Sequence, residues 1–73
     1  MNYLEWAQEY RENASRVQAV IEKKKALLND RNLTADMRKQ ISDAIISYRV
    51  IYRELLKTAE LLSSRVQEHS DAA

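Results

Sequence analysis

Seventy-three residues contain no glycine, no proline and no cysteine. Glycine ends helices by reaching left-handed backbone conformations, and proline by lacking an N–H. Without either, a helix once started meets little that can stop it. One stretch reads as an interruption, Asn29-Asp30-Arg31-Asn32-Leu33-Thr34. Its short polar side chains can bond to nearby backbone and so favour a turn. The chain is therefore expected to be all-α, two long antiparallel helices joined by one turn, an αα-hairpin.

The first helix is expected over about 3–28. Asn2 is the expected N-cap, with Glu5 in the capping-box position. Apolar residues then recur at helical spacing: Tyr3, Trp6, Ala7, Tyr10, Ala14, Val17, Val20, Ile21, Leu27 and Leu28. In heptad terms they fill a, d and e, wider than a two-stranded seam needs. Asn13 and Lys24 are polar positions within that stripe. A polar group at such a place either sets register or oligomeric state, or lies at the rim with its stem packed and its head in water. The turn is expected over about 29–34, with Thr34 capping the second helix and Asp36 complementing its dipole. Leu33 reads as half of a hydrophobic staple, with Met37 or Ile41 taking the place of Arg38.

The second helix is expected over about 35–67, followed by a frayed tail over 68–73. Its stripe is Met37, Ile41, Ala44, Ile45, Tyr48, Ile51, Tyr52, Leu55, Ala59, Leu62 and Val66. At 1.5 Å per residue the two helices are roughly 40 and 50 Å long. Helices that start level at the turn would have facing residue numbers adding to about 63. Trp6 and Tyr10 would then share layers with Tyr52, Leu55 and Ala59. Val17 would meet Ile45 and Tyr48, Ile21 would meet Ile41 and Ala44, and Leu27 and Leu28 would close over Met37.

A chain of 8.6 kDa has a small core, and below about 70–80 residues such cores are usually reinforced by disulfides, metals or association. The absence of cysteine rules out the first and removes thiolate metal sites. The single histidine, His69, lies in the expected tail. Association is the remaining route, and a homodimer forming a four-helix bundle is expected. The apolar runs are too short to cross a membrane, and the N-terminal residues do not read as a signal peptide. A cytoplasmic protein is the simplest expectation.

The composition offers little chemistry. Phosphate-binding glycine loops are impossible without glycine. Ser63 and Ser64 have only His69 near them, and no Glu-x-x-His occurs for a bundle metal site. No enzyme activity and no cofactor is expected. Trp6, Tyr10, Tyr48 and Tyr52 read as core rather than as a ligand pocket.

Two surfaces are candidates for binding. The back of the second helix interleaves apolar and basic residues, Ile46, Arg49, Val50, Arg53, Leu56 and Lys57, and is the expected protein-partner face. The hairpin tip carries Lys23, Lys24, Lys25, Arg31, Arg38 and Lys39 against three acidic residues. That basic patch is the alternative, a nucleic-acid contact of the kind made by Rop-like hairpin dimers. Glu5, Glu9 and Glu12 form an acidic stripe on the first helix, and Arg49, Arg53 and Lys57 a basic one on the second.

The opening Asn2-Tyr3-Leu4-Glu5-Trp6-Ala7, the pair Glu9-Tyr10, Leu33-Thr34 and the run Tyr48-Arg49-Val50-Ile51-Tyr52-Arg53-Glu54-Leu55-Leu56 resemble short helical-hairpin proteins of prophages and mobile elements of Gram-positive bacteria. The function of such proteins is mostly unknown, so the resemblance implies a bacterial setting and carries over no functional residue. The expected role is a non-catalytic interaction or regulatory module.

Overall fold

In the computed structural model, residues 2–72 are described, with side chains from Asn2 to Arg65. Helix α1 spans Tyr3–Leu27 and helix α2 spans Ala35–Ala72. They pack antiparallel along their length into a rod of 60 × 16 × 14 Å. The expectation for Val66 as a core position falls on a side chain outside those described, whereas α2 runs to Ala72, beyond the expected end near 67 and through most of the segment expected to be a frayed tail.

Both helix starts follow from their capping residues. The Asn2 side-chain oxygen accepts the Glu5 N–H at 2.9 Å, and the Glu5 carboxylate accepts the Asn2 N–H at 3.4 Å. That reciprocal pair satisfies two N–H groups that the first turn leaves without helical partners. At the start of α2 the Thr34 hydroxyl accepts the Met37 N–H at 3.1 Å.

The core is a narrow line. Ala7, Ala14 and Ile21 are buried at seven-residue intervals on α1, facing Ile45, Ala59 and Leu62 of α2. A seven-residue repeat falls slightly short of two turns, so the buried line follows a gentle left-handed wrap. Alanine at three of the six positions lets the backbones come close. Ile21 is the only large side chain that is fully buried among the described residues. Two helices alone thus leave much of each apolar stripe half covered.

The helices do not start level at the turn. The Arg11 guanidinium donates to the Ser63 hydroxyl at 2.7 Å, and the Lys24 ammonium lies 5.7 Å from the centre of the Tyr48 ring. Tyr10 and Asn13 share a groove with Thr58 and Leu62, and Ala14 and Gln18 share another with Tyr52 and Leu56. Facing residue numbers therefore add to about 70 rather than 63, an offset of about seven residues or 10 Å along the axis. Trp6 and Tyr10 sit beside Thr58 and Leu62, not Tyr52 and Leu55. Leu27 and Met37 do not cover one another, and each remains about half exposed.

The cause lies in the loop. No described residue has a positive φ, so α1 has no left-handed residue to end on and reverse sharply. Leu28 remains right-handed at φ −66°. Three short-range bonds tighten the exit, from the N–H groups of Leu28, Asn29 and Asp30 to the carbonyls of Lys25, Ala26 and Leu27, each 3.1 Å. Asp30 then accepts the Asn32 N–H at 2.9 Å, an Asx turn. The connection consequently runs beside the first turns of α2 instead of directly across to it.

Arg38 pins it there. Its guanidinium donates to the carbonyls of Leu28 at 2.9 Å and Asp30 at 2.8 Å. Charge-assisted bonds to exit carbonyls are among the stronger ones available. Arg38→Ala should lower stability by about 1–2 kcal/mol, equivalent to a fall in Tm of about 4–15 °C in a chain this short. Lys39→Ala, which removes an exposed residue without a partner among the described residues, should change stability by less than about 0.5 kcal/mol. Thermal melts followed by circular dichroism check both, and equal shifts would contradict the clamp.

Candidate interaction surface

The two-helix rod has two flanks, one on each side of the buried line, and they differ in chemistry. The groove shared by Trp6, Tyr10 and Asn13 with Thr58 and Leu62 marks one flank. The groove shared by Arg11, Ser15 and Gln18 with Tyr52 and Leu56 marks the other. Residues seven apart stay on the same side of a helix in this packing, so each flank can be followed along the rod.

On the first flank, α1 contributes the row Trp6, Asn13, Val20 and Leu27, and α2 contributes Met37, Ala44, Ile51 and Thr58. Inside them lie Tyr10, Val17 and Lys24, and Ile41, Tyr48, Leu55 and Leu62. This flank is apolar apart from Asn13, Lys24 and Thr58, with Glu9 at the edge of its groove. Its large members are neither buried nor free: Tyr10 is 37% exposed, Trp6 41%, Ile51 46%, Met37 49% and Leu27 53%. They are the outer half of stripes whose inner half is packed.

The corresponding rows on the second flank are Leu4, Arg11, Gln18 and Lys25 on α1, and Ser42, Arg49, Leu56 and Ser63 on α2. Leu4 and Leu56 are the apolar members, and Arg11 donates to Ser63 across it. Such a side can face water without cost. The additional apolar width of each stripe is therefore collected on one flank of the hairpin.

The expected partner face on the back of α2 is partly dismantled. Ile46 at 60% and Val50 at 52% are exposed, as are Arg49, Arg53 and Lys57. Leu56 does not belong with them. It is half-buried against α1, beside Ala14 and Gln18, because it lies one turn from Tyr52 on the packed side. What remains is two apolar side chains among three cations, ordinary for a solvated helix.

The basic tip is also thinner than its sequence. Arg38 is spent on loop carbonyls. Lys24 packs over Tyr48, and Lys25 sits 3.5 Å from the Glu22 carboxylate. Lys23, Arg31 and Lys39 are exposed, with no partner among the described residues. The acidic stripe Glu5, Glu9, Glu12 and the basic stripe Arg49, Arg53, Lys57 form no ion pair among the described residues; the offset register separates them further along the axis. Ser63 accepts from Arg11, while His69 lies outside the described side chains.

Among the described residues no helix is long and apolar enough to cross a membrane. No protein family, curated protein or solved structure compared with the chain matches it.

The apolar flank was half visible in the sequence. The a, d and e stripes announce surplus width, but only the packing shows that both helices place it on the same side.

Three unpaired cations limit what one tip can do with a phosphate backbone. Affinity for duplex nucleic acid should fall no more than about forty-fold between 50 and 200 mM salt, the drop for three neutralised phosphates. In a salt titration, a loss above about a thousand-fold needs about six neutralised phosphates, which means that two tips act side by side or that Lys24, Lys25 and Arg38 leave their present partners.

Proposed function

We propose that this protein is a non-catalytic helix-packing module that works by docking its apolar flank against other helices. The observation that carries the reading is the difference between the flanks. Trp6, Leu27, Met37 and Ile51 are half covered on one side, where the other side presents Arg11, Gln18, Ser42 and Ser63. Each half-covered side chain retains apolar area whose removal from water is worth about 25 cal/mol per Å². A helix laid along the flank gains at every turn, whereas one laid on the back of α2 gains only at Ile46 and Val50.

The reading moves the interaction face by about a quarter-turn from the back of α2 to the side shared by both helices. It also favours protein over nucleic acid as partner, because the tip has lost half of its cations to internal contacts.

A photo-crosslinking residue at Ile51 should give adducts in an extract of the protein's own cells, and one at Val50 should give few. Adducts at position 50 without any at 51 would overturn the flank and restore the back of α2. Trp6, the only tryptophan, reports independently: covering the flank should shift its emission to the blue. The double substitution Leu27→Glu with Ile51→Glu should abolish that shift while the chain stays helical.

A further inference from the structure

We infer that the flank is covered by a second copy of this chain, related by a two-fold axis along the rod, so that both hairpin tips lie at the same end. The inference rests on the flank being a docking surface, and it names the occupant and its orientation.

Area is the first argument. The chain exposes 5795 Å², whereas a compact monomer of its mass exposes about 4,700 Å². The excess, about 1,100 Å², is of the size that one partner contributes to a standard interface, about 800 Å². A thin rod reaches ordinary compactness by lying against another rod of equal length.

Polarity along the flank decides the orientation. Asn13 and Thr58 border one groove, with Glu9 at its edge, and form a polar level in a flank whose other inward polar residue is Lys24. Covered polar groups need hydrogen-bond partners. An axis along the rod sets every level against the same level of the second copy. Asn13 and Thr58 then meet their own counterparts, four hydrogen-bonding side chains in one layer, while Val17 with Leu55 and Val20 with Ile51 meet apolar layers. Rods laid tip to tail with full overlap would instead set Asn13 and Thr58 level with Val20 and Ile51, which offer nothing to bond. The Asn13 oxygen already accepts from Arg16 and the Thr58 hydroxyl already donates to the Glu54 carbonyl. What the second copy matches is therefore the Asn13 amide N–H pair and the Thr58 oxygen, and a polar layer matched in one register is a known device for fixing orientation.

The rims agree. Arg16 lies just outside the apolar row of α1, held there by its 3.0 Å bond to the Asn13 side chain. Glu54 lies just outside the row of α2, one turn before Thr58, whose hydroxyl donates to the Glu54 carbonyl. Their numbers add to 70, so they sit at one level. With tips together, α1 of one copy borders α2 of the other, and each Arg16 faces a Glu54. With tips opposed, α1 borders α1, and Arg16 comes level with Arg16 of the second copy. Lys24 resists the arrangement, since both copies share its layer. Its ammonium already leans over the Tyr48 ring, which carries the charge towards the rim.

Because the chain lacks cysteine, a nitroxide can be attached at Asn32→Cys, on the exposed tip, and the pairwise distance measured by pulsed electron resonance. Sedimentation equilibrium on the same sample gives the mass. The inference expects twice 8.6 kDa and a label separation below about 30 Å, set by helix spacings of 8–10 Å. A dimer with a separation of about 50 Å or more, close to the 60 Å rod length, overturns it, being the tip-to-tail arrangement. A mass of 8.6 kDa at every concentration, or an assembly larger than two, overturns it as well. In that event crosslinks at Ile51 to a different protein would leave the docking reading standing without the second copy. Charge reversal supplies an independent check: Arg16→Glu should weaken the dimer about tenfold, and adding Glu54→Arg should restore it. Failure of the second change to restore what the first removes would contradict the orientation.

Discussion

The structure depends on one constraint: the chain must reverse direction with no residue in a left-handed conformation. A helix that ends on a left-handed residue can turn back within two or three positions. Here Leu28 stays right-handed and the exit tightens through three successive short-range bonds. The connection is then laid beside the start of α2 and fastened by Arg38 at 2.9 and 2.8 Å. That sideways step moves the whole packing register by about seven residues, two turns of helix. It keeps the same faces together while changing every neighbour. Had the register slipped by one or two residues instead, the stripes would have rotated away from each other.

The offset shapes what the rod can do. A line of alanines and short aliphatics holds the helices close, and Ile21 is the only fully buried large side chain among the described residues. The larger apolar groups, Trp6, Tyr10, Leu27, Met37 and Ile51, are displaced to one flank. A small core supplies only a few kcal/mol, so the flank is both the protein's unused apolar surface and its main reserve of stability. Association and stability are expected to be two aspects of one contact.

Much of the fold was legible from residue type and spacing. Asn2 and Thr34 were readable as caps because their side chains can accept the N–H groups that the first turn exposes. The buried residues Ala7, Ala14, Ile21, Ile45, Ala59 and Leu62 all fall on the stripes seen in the sequence. Register was not legible, because periodicity reports which side of a helix is packed and says nothing of how far one helix is slid along the other. That information sits in the loop, in the preference of Arg38 for two carbonyls. Arg38 was grouped with the cations of the basic tip, and its bonds to the Leu28 and Asp30 carbonyls were not legible, since a cation near a turn carries no mark of its partner in the sequence. Leu56 was assigned to the outer face for a related reason. It stands at the border of the stripe, where a few degrees of helix rotation decide between packed and exposed. The same ambiguity hid the flank, which exists only when two borders come to the same side.

The most direct test of this account follows mass and Trp6 emission together across a dilution series, by light scattering and fluorescence on one sample. The account predicts that the mass falls from twice 8.6 kDa to 8.6 kDa as the emission moves to the red, both with one midpoint. A dimer that dissociates without any change at Trp6 would place the contact away from the apolar flank and contradict the account.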